Sequence, residues 1–199
     1  MSNLNREISS TILLLIDRSV KITDMRLALG VKYDLPPIPL DRERTTWFSA
    51  GSVTFGVEER VLDEAVVRVT FSDQQRARSA IEDVQDGAFA NDGGFSVHVC
   101  EAGSGRELLR FDCFAETPHY HYIAVDGGNH AIAFDADANG DMVSWVAVCL
   151  RSRLPAMLRR VGAAYLVSGL IAGDVDEAVT ALAAELERRT GGERHGPAR

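Results

Sequence analysis

Five side chains within the stretch 95–135 have the types and spacing that do chemistry: His98, Arg110, Asp112, His119 and His121. Imidazoles at i and i+2 on an extended strand point to the same side. His119 and His121 would therefore present two nitrogens to a transition metal, with His98 or Asp112 the nearest third ligand. The metal set read this way is His119, His121 and His98, and the cofactor it implies is a divalent transition metal. The same residues could also work without one. A carboxylate beside an imidazole orients it as a general base, which gives Asp112 to His121, with His119 adjacent and Arg110 placed to hold an anionic substrate. The catalytic set on that reading is His121, Asp112, His119 and Arg110.

The elements that must position these residues are short runs alternating apolar and polar, separated by breaks rich in glycine or marked by proline. Strands are expected over 95–101, 107–114, 119–125 and 129–135. A one-residue slip would turn a strand's apolar set to the wrong side, so the apolar faces fix the parity of each turn. Loops at 103–105, 115–118 and 126–128 satisfy that parity together. Val97, Phe111, Tyr120, Tyr122 and Ile132 then share one face, and His98, Arg110, Asp112, His119, His121 and Asp135 share the other. This register sets Asp112 directly across from His121 and continues a row from Phe114 through His119 to Asp135. Ala131 and Ala133 on the same face leave room above the sheet. The plain alternative is that an antiparallel sheet often has one wet face, and polar residues there need no function.

Elsewhere, 25–33 alternates as a strand. Prolines 36, 37 and 39 then break regular structure, so 34–46 reads as a loop crossing the surface. Strands at 52–57 and 65–71 flank an acidic turn at 58–64, and Ser72 with Gln75 forms a capping-box pattern for a helix reaching about residue 85. Residues 1–20 suit a short helix or a buried strand equally. Asp141 can cap a long helix whose apolar stripe runs from Val143 to Val161, kinked by Pro155. A second helix is expected over 175–189, followed by a disordered tail at 190–199.

The resulting fold class is α+β: an antiparallel meander sheet of about six or seven strands, open or curled into a half-barrel, packed against C-terminal helices. Residues 1–189 form one domain. A formal charge of −8 and a pI near 5.1 argue against nucleic acid or an anionic membrane as partner. Three scattered cysteines without a CxxC pair fit a reducing, cytoplasmic setting. Two function classes follow. One is a small enzyme or small-molecule-binding protein using the His/Asp face. The other is a non-catalytic or homo-oligomerising subunit in which that face is an interface or solvated surface.

Overall fold

The computed structural model describes residues 29–34, 36–62 and 92–193, with side chains through residue 190. The expected strand at 65–71 and helix at 72–85 lie outside the described residues, as do residues 1–28. Among the described residues the strands are β1 (Lys32–Tyr33), β2 (Thr46–Ala50), β3 (Val53–Leu62), β4 (Asp92–Glu101), β5 (Glu107–Phe114), β6 (His119–Ile123) and β7 (Asn129–Ala133). They form one antiparallel sheet in the order β1-β7-β6-β5-β4-β3-β2. The sheet is open, because β1 and β2 are its two edges, and the expected meander of β4 to β7 is its centre.

Parity holds in every hairpin, but two registers differ from expectation by two residues. Val97 pairs with Phe111 as expected. Asp112 pairs with His119 rather than His121, and His121 pairs with Arg110. The cause is the turn between β5 and β6, which folds back onto the start of β4. Ala115 N donates to Gly93 O at 3.1 Å, and Glu116 N and Thr117 N donate to the Asp92 carboxylate at 3.1 and 2.9 Å. In the next hairpin Tyr122 pairs with His130 and Tyr120 with Ile132. Here Val125 has left the sheet to donate from its amide to Val161 O at 2.9 Å. Asp135 leaves it too, and its carboxylate accepts from Ala138 N as the cap of helix α1 (Ala136–Asn139). The row through His119 therefore ends at Ala133, not Asp135.

Two further corrections concern the first strands. Residues 46–50, read as the end of a loop and an unassigned segment, form β2, and the supposed acidic turn begins as the second half of β3. Alternation along β3 sends Gly56, Glu58 and Arg60 to the face that carries His98.

Helices cover the apolar face. Asp141 caps α2 (Met142–Val148), accepting from Ser144 N at 2.8 Å. Pro155 has no amide hydrogen to complete the ladder. The chain adjusts through one wide π turn, Cys149–Arg153, before α3 (Leu154–Arg160). After a 3-10 turn over Ala164–Gly169 comes α4 (Ala172–Glu193), which continues past the expected end at 189. Val146, Leu150, Leu154, Leu158, Val179 and Leu182 are buried against Phe55, Val97, Val99, Leu109 and Phe111. The Trp145 ring meets Phe111 edge-on at 5.9 Å between centroids. This side supplies the apolar burial that holds the sheet flat against its helices.

On the other face the topology sets the site. Tyr33, Ala131, His121, Arg110, His98, Gly56 and Trp47 form one transverse row through successive pairings. The chain leaves the sheet at one end of that row, after β1, and re-enters at the other, in β2. The connection, described over 36–45, is thus a strap across the sheet. At Gly56 the end of the strap and the Trp47 ring of β2 come close: a Cβ there would stand 2.6 Å from Thr45 Cγ2 and 2.8 Å from Trp47 Cζ3. Only glycine admits that approach without displacing the strap.

A candidate metal centre on the polar face

The polar face is buried. His98 is inaccessible, and Glu58, Arg60, Arg110, Asp112, His119 and His121 are each no more than 8% exposed. Buried charges persist only when paired and hydrogen-bonded, so their partners decide what this row is.

One half of the row is an ion-pair network, in which Arg60 Nε and His98 Nε2 face acids without a well-formed hydrogen bond. Arg110 Nε and Nη2 donate to the two Glu107 oxygens at 2.8 and 2.7 Å. Arg60 Nε lies 2.9 Å from Glu58. His98 sits between the two acids, Nδ1 at 2.7 Å from Glu107 and Nε2 at 3.3 Å from Glu58. The strap is tied into this network. Arg110 Nη1 donates to Ile38 O, Arg60 donates to Ile38 O at 3.2 Å and also to Pro39 O, and Asp41 N donates to Glu58 at 3.1 Å. Burial alone would raise the Glu107 pKa, but the bond from His98 and the Arg110 charge outweigh it and hold the carboxyl at about 2. Glu58 is lowered as well: burial opposes ionisation, and the His98 and Arg60 contacts overcome it.

The other half is different in kind. Asp112 Oδ1 accepts from Ser96 Oγ, and Oδ2 faces His119 Nε2 at 3.3 Å and His121 Nε2 at 3.4 Å. Among the described residues no lysine or arginine forms an ion pair with Asp112. Burial again opposes ionisation, but the neighbouring His121, His119 and Arg110 groups hold this carboxyl well below the usual range. Burial pushes His119 in the neutral direction, further than the Asp112 charge pulls it back. The ligand atoms of Asp112, His119 and His121 all lie within 4.8 Å of one another.

The tautomer of His119 is fixed by a neighbour. Its Nδ1 is 2.7 Å from Thr117 O, and a carbonyl can only accept, so Nδ1 carries the hydrogen. A neutral His119 then aims the lone pair of Nε2 at the Asp112 carboxylate. Two acceptors face each other there, and a cation between them removes the conflict. Nδ1 of His121 is buried without a hydrogen-bond partner.

Of the residues read from the sequence, Asp112, His119 and His121 are brought together. His98 stands apart in the glutamate clamp, and Arg110 is engaged with Glu107 and the strap. Glu58, Arg60 and Glu107 escaped the sequence reading. For the first two the signal was the alternation of Val53, Phe55 and Val57 against Thr54, Gly56 and Glu58, which the sequence interrupts at Glu59. For Glu107, strand parity points to the apolar side, yet its carboxylate meets His98 and Arg110, beside the register shift between Val99 and Cys100. The three cysteines are free, and burial raises Cys100 to about 12, which leaves it a protonated thiol. A cleft of about 280 Å³ lies on the helical side, lined by Leu150, Leu154, Val167, Leu170 and Val175, across the sheet from the triad.

An open seven-stranded meander with one helix-covered face and one buried polar face defines an α+β domain with a candidate His/Asp centre. The chain belongs to the family described as a domain of unknown function, DUF7700, which matches residues 47–186. That span includes the whole candidate centre, the Glu58 and Glu107 clamp, and the helices to α4. No curated protein and no solved structure matches the chain. No helix among the described residues is long and apolar enough to cross a membrane.

Proposed function

We propose that this protein binds a divalent transition metal through Asp112 Oδ2, His119 Nε2 and His121 Nε2, and uses the centre to bind or transform a small molecule. The convergence of two imidazole nitrogens on one carboxylate oxygen, with the lone pair of a neutral His119 facing an acceptor, carries the reading. A charge-assisted N–H···O bond spans roughly 2.7–2.9 Å, whereas two ligands held about 2.0–2.1 Å from a tetrahedral ion stand about 3.3 Å apart. The 3.3 and 3.4 Å separations of Asp112 from the two imidazoles match the second figure, as does the single His98–Glu58 contact at 3.3 Å, so the convergence of two imidazoles on one oxygen, and not the spacing alone, marks this centre. Two imidazoles and one carboxylate suit zinc or iron(II), and three protein ligands leave a position for water or a small molecule. A metal there would act as a Lewis acid towards that molecule. The protein supplies buried polar surroundings and a pre-set imidazole. His98 and Arg110 stay outside the ligand set, as the clamp that ties down the strap.

Elemental analysis tests this directly. Protein grown with metal supplements and purified without chelator is expected to carry close to one transition metal per chain. His121→Ala and Asp112→Asn should each remove it while leaving the far-ultraviolet dichroism intact. A wild-type content near zero rejects the metal reading. The His/Asp pair would then be a metal-free acid–base site or part of a solvated or subunit-covered face.

A further inference from the structure

Asp92 lies at the first position of β4 and is 4% exposed. Its carboxylate is saturated by its neighbour in β4 and by one side of the turn that leads into β6. Oδ1 accepts from Gly93 N at 2.8 Å and Glu116 N at 3.1 Å, while Oδ2 accepts from Thr117 N at 2.9 Å and from Thr117 Oγ1. The carbonyl of the same Thr117 receives the His119 Nδ1 hydrogen. The far end of the turn is fixed by Phe134 N, which donates to Pro118 O at 2.9 Å. The Phe114 ring meets the His119 ring edge-on at 5.8 Å, so the imidazole has little freedom to rotate.

We infer that Asp92 is a positioning residue for the metal centre: through Thr117 it fixes the tautomer and direction of His119, so that Nε2 is delivered as a free lone pair. This rests on the metal reading above, and goes beyond it by assigning the outer support of one ligand. A carboxylate is needed because four donors converge on it. An amide in its place offers one oxygen, and its NH2 would face amide hydrogens that it cannot bond. Outer partners of this kind raise metal affinity by orienting the ligand ring before the ion arrives.

The test uses the full chain with Asp92→Asn and, as the milder change, Thr117→Val, which removes only the hydroxyl bond to Asp92. Folding of each is checked by a ¹H–¹⁵N correlation spectrum. Two readouts are taken. Long-range ¹⁵N spectra of the metal-free protein report the His119 tautomer, expected as Nδ1–H in wild type and mixed in Asp92→Asn. Cobalt(II) titration is expected to show affinity falling about 10–100-fold in Asp92→Asn and less in Thr117→Val, with a shifted visible spectrum. An Nε2–H tautomer in wild type, or cobalt binding and tautomer unchanged in a folded Asp92→Asn, overturns the inference. A wild-type protein that takes no cobalt at all instead overturns the metal reading on which it rests. Should Asp92→Asn fail to fold, Thr117→Val carries the same two readouts.

Discussion

Arg110→Met is expected to destabilise the protein by about 3–5 kcal/mol, the cost of leaving a buried carboxylate without its cation. Methionine keeps most of the volume and removes the charge. Glu107 would then face only His98 in an environment with 12% exposure of its side chain, and the strap would lose its Arg110 bond to Ile38 O. Urea denaturation reads the loss as a lower midpoint. The double variant Glu107→Gln/Arg110→Met should regain part of it, because neither charge is then buried alone. Arg110→Met at wild-type stability would show that the pair is solvated and the polar face open.

Acid should weaken the fold through the same network. The Glu107 carboxyl titrates at about 2 in the folded protein against an ordinary value of 4.5. A depressed folded pKa means that the unfolded chain binds the proton more readily, so the stabilisation is complete above pH 4.5 and is lost as pH falls towards 2. At about 1.4 kcal/mol per unit, the full loss is on the order of 3 kcal/mol from this group. Asp112 and Glu58 are displaced in the same direction and steepen the fall. Urea midpoints between pH 6 and 3 should drop in the wild type and drop less in Glu107→Gln, from a lower plateau. Equal pH slopes in the two proteins would exclude Glu107 as a contributor.

The parity of the central strands could be read from the sequence because it depends only on alternation. Val97, Phe111, Tyr120 and Tyr122 demand one side, and His98, Asp112, His119 and His121 follow to the other. Register within that parity could not be read, since it is set by who captures the turns. Asp92 is remote in sequence from Thr117, and Val161 from Val125, and each pulls its hairpin two residues out of the count made from loop length alone. The triad survived the error because a two-residue shift preserves the face. Asp112 still reaches both imidazoles, from a position opposite His119 instead of His121. Glu58 and Arg60 were obscured for a different reason: a run of acids reads as solvent-facing unless the strap that covers it is known, and the strap is a tertiary feature.

The strap also has a consequence for the order in which the molecule assembles. β4 to β7 are joined by short hairpins, whereas β1 pairs Lys32 with Ile132, a contact of high sequence separation whose loop-closure cost falls late in folding. The meander would then form first with its charged row still wet, and burial would come only when β1 docks and the crossing segment settles onto Arg60 and Arg110. Local opening should retrace that step at lower cost than global unfolding. Native-state hydrogen exchange is expected to show the amide of Lys32 exchanging well before those of Val97 and Val99; equal protection would mean that the cover and the sheet form one cooperative unit. In this order of assembly Arg60 and Arg110 stay open to solvent until a distant strand docks, so that late closure, and not the making of the hairpins, sets when the charged row is sealed.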